Sequence, residues 1–385
     1  MPSSILPKTA RVEVLDSLRG LAALTVVFGH FRNLWDGHAQ PKVVQIFLLL
    51  PLRLISSGHA AVLFFFLLSG FVLSIPIIRD GTQVYHIYLI RRICRIYIPY
   101  LFALAFAVLG AYYLHDNLPL SPWFQRTWSQ APNWNLVGQH VLFLGEYKCD
   151  QFNAAFWSLI VEMRISIIFP LLCWIVLRIR PIYSVATTLL LSITWNWISL
   201  HQPTKALQAL ATLHFLLFFV IGILLSQYSS TIAKYYLRLS QRTKIMAILS
   251  SVVLYAFGPV LGGATFTTFD APITDWISGL GAAGIIVFAL NSAGMHKTLL
   301  HPICKILGKL SYSMYLMHAT VLFTLIHLLY GRCNYVVIFA AYMICVAIIT
   351  WLFYLAVEKP SIRIGRYLGQ VLKKSKDEER TIAVV

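Results

Sequence analysis

An arginine and a histidine eleven residues apart are the first residues in this chain with a chemistry to account for. They lie in the run Leu-Asp-Ser-Leu-Arg-Gly-Leu-Ala-Ala-Leu-Thr-Val-Val-Phe-Gly-His, residues 15–30. On an α-helix eleven residues make about three turns, so Arg19 and His30 project from one face, roughly 16 Å apart along the axis. An ionisable residue inside an apolar span is costly to keep, which makes function the default reading of His30. The competing reading is structural: Arg19 anchors the span at the membrane interface and His30 is a satisfied buried histidine.

Further candidates lie along the chain. Among fourteen acidic residues, Glu162 is read as the one well inside a span. Counted from Trp157 it lies roughly 7–8 Å below the outer aromatic level, and His30 lies at the same depth counted from Trp35. A histidine and a carboxylate that meet in a low-dielectric bundle can act as a general base and its orienter. Alternatively Glu162 is neutralised by Arg164, although two residues apart on a helix is a poor spacing for that pair. His318 falls at a comparable depth in a later span, one and two turns beyond Tyr315 and Tyr312, where hydrogen bonding and catalysis are both open. His30, Glu162 and His318 lack a short zinc-binding spacing, so no metal is expected. Arg92 and Arg95 sit one turn apart beside Arg91 at the expected mouth of a span. Guanidinium forks suit phosphates, while the same arginines also satisfy the topology rule. Ser69-Gly70 lies mid-span, where small residues serve close packing, and the flanks of Ser69 lack a nucleophile turn. Glu358 and Pro360 read as a structural cap or ion pair.

The elements that must position these groups are membrane helices. Hydrophobic residues make up 58% and charged residues 12% of the 385-residue chain, with a mean hydropathy of +0.73. The chain is therefore expected to be an all-α polytopic integral membrane protein. Apolar runs predict ten spans, near 15–35, 59–78, 93–114, 155–178, 182–199, 206–226, 245–261, 274–291, 306–330 and 334–357. The first is expected to be an uncleaved span.

The net charge of +17 would suit nucleic acid in a soluble chain, but here the basic residues alternate by loop. One side holds Arg79 and Arg91 to Arg95, Arg178 and Arg180, Lys234 to Lys244, Lys297 and Lys305, and a basic tail; the other holds only Lys42, Arg53, Arg126, Lys148, Lys205 and Arg332. The positive-inside rule then places both termini in the cytoplasm, and no nucleic-acid partner is expected. Residues 115–154, with Trp123, Trp128 and Trp134, predict an ordered lid or interfacial segment. Residues 43–55 predict a short surface helix, and the tail either hugs anionic lipid or is disordered. The division reads as a cytoplasmic N-terminus (1–14), a transmembrane domain (15–360) and a basic cytoplasmic tail (361–385). Of six cysteines, Cys149 and Cys333 fall in loops on one predicted face, which leaves a disulfide open.

The Arg19-Gly20 pair with His30 resembles the start of the acyltransferase-3 family of multi-pass membrane acyltransferases. Later stretches resemble it in the same order: Phe65-Phe66-Leu67-Leu68-Ser69-Gly70-Phe71, Arg91-Arg92-Ile93-Cys94-Arg95 with Pro99, Phe156 to Glu162, Leu310 to His318, and Tyr354 with Glu358-Lys359-Pro360. At Leu63 many relatives carry a polar residue. The resemblance implies a membrane acyltransferase moving an acetyl or other short acyl group from acyl-coenzyme A, with acetyl-coenzyme A the expected donor, to a hydroxyl of a saccharide or glycolipid. No tightly bound cofactor is implied. His30 and Glu162 are then the expected catalytic residues, either by base catalysis or through an acyl-histidine. Arg19, Arg91, Arg92, Arg95, Ser69, Tyr312 and His318 are the expected binding residues. The chain would be the stand-alone form, in the cell's inner or plasma membrane. A transporter or flippase using the same intramembrane charges is the rival reading, without the repeated halves such proteins show.

Overall fold

The computed structural model describes residues 8–35, 52–81, 84–143, 148–201, 207–261 and 272–382. Among these the chain is 86% helix with no strand. The long helices are α1 (Lys8–Asn33), α2 (Gly58–Asp80), α3 (Tyr85–Leu114), α5 (Phe156–Arg178), α6 (Pro181–His201), α7 (Leu207–Gln227), α9 (Gln241–Leu261), α10 (Pro272–Asn291), α12 (Pro302–Leu329), α13 (Tyr335–Phe353) and α14 (Lys359–Ile382). Short helices α4 (Trp134–Leu142), α8 (Ser229–Arg238) and α11 (Ala293–Leu299) lie between them. Among the described residues eight helices are long and apolar enough to cross a membrane, so the protein is a multi-pass membrane protein. The expected spans 182–199 and 245–261 are covered by α6 and α9, 21 residues each and so roughly 32 Å long, but they are not among the eight.

Small residues set two close helix crossings that position the site. A side chain at Gly20 of α1 would run into the backbone at Leu307 and Gly308 of α12, and one at Gly308 into Asp16 and Ser17. This lets α1 and α12 pack along their length and brings His30 to α12. Gly70 of α2 and Gly222 of α7 make the second crossing, each facing the other helix's backbone. Gly70 thus does the packing expected of Ser69-Gly70, while Ser69 turns to a different neighbour.

Three expectations about helix limits change. Helix α3 begins at Tyr85, so Arg91 and Arg92 lie about two turns and Arg95 about three turns inside it and not at its start. Pro360 does not end the last helix: a π-helical turn, Tyr354–Glu358, passes directly into α14, which runs back along α3. The tail is therefore helical through Ile382, and its part around Gly365 and Gly369 packs on α3. Glu358 accepts hydrogen bonds from the Ser313 amide (3.1 Å) and hydroxyl, a tie between α12 and the π turn. The expected surface helix at 43–55 lies mostly outside the described residues; within them is only the 3-10 turn Leu54–Ser56. Nearby Arg53 is buried and donates to the Ala256 carbonyl at 2.9 Å.

The connection from α3 to α5 folds as a lid across one end of the bundle. Ser121 ties it to the end of α1, donating its amide to the Leu34 carbonyl (3.1 Å) and its hydroxyl to the Asn33 carbonyl (2.6 Å). Asn133 caps α4 through its side-chain oxygen. Trp128 is buried, with its indole donating to the Phe152 carbonyl at 2.9 Å. Trp134 instead faces outward, 68% exposed. Cys149 and Cys333 are not joined to each other: Cys149 lies in the lid, whereas Cys333 is in the α12–α13 turn, its amide donating to the Leu329 carbonyl. The disulfide left open by the sequence is absent.

Candidate active site

His30 sits one turn before the end of α1, under the lid, where the Trp123 ring lies 4.9 Å from its own. Its partner is His318 of α12, with His30 Nδ1 3.0 Å from His318 Nε2. His318 is fully buried, and its Nδ1 lies 3.1 Å from the Met314 carbonyl one turn earlier. A carbonyl can only accept, so that nitrogen carries hydrogen and neutral His318 presents a lone pair at Nε2. His30 must then donate from Nδ1, which leaves its Nε2 with the lone pair that a base or nucleophile requires. His30 is only partly buried, so that nitrogen belongs to the accessible member of the pair.

Glu162 does not orient His30. Its carboxylate accepts from Arg92 at 2.8 Å and from the Ser69 hydroxyl at 3.3 Å. Arg92 is buried and also donates to the Ser166 hydroxyl, at 2.8 and 3.2 Å. The expected His30–Glu162 pair is thus replaced by His30–His318 and Arg92–Glu162, and Arg92 takes the place considered for Arg164. The equal depths failed because Trp157 marks no membrane surface. Its ring stands inside the bundle, 5.4 Å from Phe215, 6.1 Å from His59 and 6.4 Å from Phe66. A buried carboxylate needs a charge-assisted partner more than a neutral imidazole does, and Arg92 supplies it.

The ion pair lies in the wall of a cavity of about 100 Å³, which Arg19, Ser69, Arg95 and Tyr312 also line. Arg19 reaches it while bonded to Asp16 at 3.0 Å. The Tyr312 hydroxyl donates to the Ile96 carbonyl at 2.8 Å, fixing α12 to α3. Arg91 is absent from this wall: it lies against Gly365 and Gly369 of α14, on another face of α3. The structure therefore gathers Arg19, Ser69, Arg92, Arg95, Glu162 and Tyr312, sets His30 and His318 apart as a second group, and leaves Arg91 out.

Tyr315 joins the groups. Its ring is 5.8 Å from that of His318, it lines the cavity, and its hydroxyl is 2.6 Å from that of Ser158. Ser158, Glu162 and Ser166 follow one another every four residues along α5, a spacing that puts all three on one face and was readable in the sequence. The start of α5 is held to α12 by Asn153, whose amide donates to the Leu316 carbonyl (3.0 Å) and the Thr320 hydroxyl (3.2 Å). Reading only Glu162 as an intramembrane acid also passed over Asp275, which is buried in the first turn of α10. Among the described residues no three His, Cys, Asp or Glu side chains converge as metal ligands.

Arginines and tyrosines around a polar pocket, joined through Tyr315 to an oriented imidazole, can hold a phosphate-bearing donor and deprotonate a hydroxyl. No curated protein and no solved structure matches the chain. The acyltransferase domain family does match, over residues 12–355, nearly the whole sequence, and the chain belongs to that family, acyltransferase-3.

Proposed function

We propose that this membrane acyltransferase transfers an acetyl or other short acyl group from acyl-coenzyme A to a hydroxyl of a saccharide or glycolipid. The observation that carries the reading is the tautomer fixed at the histidine pair. His30, donating from Nδ1 to His318, keeps Nε2 available to take the acceptor's proton as its oxygen attacks the thioester carbonyl. The proton then passes to the departing thiolate, so acid and base can be one residue. His318, not Glu162, is the orienter. In this reading Arg95 and Arg19 meet the donor's negative charge in the cavity, and Arg92 with Glu162 holds α3 and α5 in register around it. The acyl group approaches His30 past Tyr315. The ten-span arrangement with cytoplasmic termini, the 1–14, 15–360 and 361–385 division and residence in the inner or plasma membrane complete the proposal.

The test is mass spectrometry of glycans and lipids from cells carrying the wild-type chain, His30→Ala or no copy. An acyl mass present only with the wild type is expected. The same product from a correctly inserted His30→Ala protein would remove the histidine from the mechanism.

A further inference from the structure

Helix α14 follows the last span and belongs to neither group of site residues. The span before it, α13, has 19 residues, which is about 28 Å of helix against a hydrocarbon core about 30 Å thick. The π turn and α14 therefore begin where the membrane core ends. Residues 359–373 include no acid.

This stretch of α14 carries three strips. Ser361, Gly365 and Gly369, four residues apart, form the buried one. The two glycines let α3 come close, with Cys94 and Arg91 against the first and Arg91 against the second. Arg363, Arg366 and Lys373, with Gln370 between them, form an exposed basic strip. Ile364, Tyr367, Leu368 and Val371 form an exposed apolar strip beside it.

Arg91 of α3 enlarges the basic strip. Its guanidinium lies over Gly369, and Arg366 and Lys373 stand three residues before and four after that glycine, on the same side of the helix. Among the described residues none of Arg91, Arg363, Arg366 and Lys373 has a carboxylate at ion-pairing distance. Like charges gathered without an acid repel one another, and a phosphate relieves that repulsion with charge-assisted hydrogen bonds. A free phosphate would answer the basic strip alone. The apolar strip next to it singles out a lipid, whose chains take the apolar side chains while its headgroup meets the basic ones.

We propose that the seam of α14 and α3 is a docking surface for anionic membrane lipid, with the four basic side chains on the phosphates and the apolar strip in the edge of the hydrocarbon. Arg91, which lies outside the arginine cavity, thereby has a ligand of its own. The proposal stands apart from the acyl-transfer reading.

The test is hydrogen exchange of the purified full chain in nanodiscs of phosphatidylcholine alone and of an equal mixture with phosphatidylglycerol. Protection across residues 360–373 should be at least about tenfold higher in the mixed discs, and most of that gain should vanish in about 1 M salt, where the Debye length is about 3 Å. The double variant Arg363→Gln/Arg366→Gln should remove the difference between the two discs. Arg91→Gln, which leaves α14 unaltered, should reduce it. Equal protection of the wild type in both discs would overturn the proposal, and so would a difference that survives in both variants. Protection raised as much by inorganic phosphate in phosphatidylcholine discs would assign the basic strip to a free anion. Protection that rises with protein concentration in detergent would assign the apolar strip to a second copy of the chain, and either result would also overturn lipid docking.

Discussion

Replacing His318 asks whether the hydrogen bond to His30 or the depth of His30 alone makes it a base. His30→Ala should reduce turnover roughly 10²–10⁴-fold, the usual weight of a positioned base. His318→Ala removes the acceptor that fixes the tautomer and should cost most of the same factor, and the double variant should be little worse than His30→Ala because the residues act as a unit. Fully multiplicative losses in initial-rate measurements would show that the two act independently. Arg92 and Glu162 form a different unit. Arg92→Ala leaves a carboxylate buried without its charge partner, a loss of about 3–5 kcal/mol, and should appear first as poor folding in a detergent melt. Arg95→Ala, which breaks no such pair in the cavity wall, should leave the melt unchanged and raise the donor KM. An Arg92→Ala melt equal to wild type would contradict the structural role given to the pair. The spacing of Arg19 and His30 was legible because one helix fixes both. The partner of Glu162 was not, because depth counted along separate helices ignores tilt and treats every tryptophan as a surface marker.

At the level of elements, the lid carries its own titration. His140, on α4, is buried and packs its ring 4.8 Å from that of Phe152. Burial disfavours the charged imidazole and pushes its pKa down to about 4 from the ordinary 6.5. Between those values the unfolded lid binds a proton that the folded lid refuses, so lid stability is full above pH 6.5 and falls as the pH drops toward 4. The whole shift corresponds to about 3 kcal/mol. Hydrogen exchange across residues 115–143 should therefore show protection decreasing from pH 7 to pH 5, and His140→Gln should flatten that dependence. Protection equally pH-dependent in His140→Gln would place the sensitivity in another group. The lid itself was readable from its tryptophans and prolines, but not which rings turn inward. Trp128 and Trp134 look alike in sequence; the packing of the first against Gly110 of α3 and its hydrogen bond to the Phe152 carbonyl separate them.

The whole molecule poses the question of sidedness. Among the described residues hydropathy marks eight helices as spans, yet α6 and α9 have spanning length and lie where apolar runs predict two more. Loop charge speaks to the difference. If all ten cross, the lid and the α12–α13 turn share one side with Arg126, Lys148 and Arg332 as their basic residues. The α8 region, with Lys234 and Arg238, then joins the strongly basic α14 on the other. That is the asymmetry the positive-inside rule rewards; without α6 alone α8 would join the lid, without α9 alone α14 would join it, and either change mixes the two sets. The arginine pocket and the lid would accordingly face opposite sides, the pocket toward the compartment that supplies acyl-coenzyme A and the lid away from it. Reporter fusions after Leu239 and after Ile382 should both report the cytoplasm, and a cysteine introduced at exposed Trp134 should react with an impermeant maleimide added outside. A cytoplasmic Trp134, or fusions that report opposite sides, would overturn the ten-span arrangement and with it the opposite placing of donor pocket and lid.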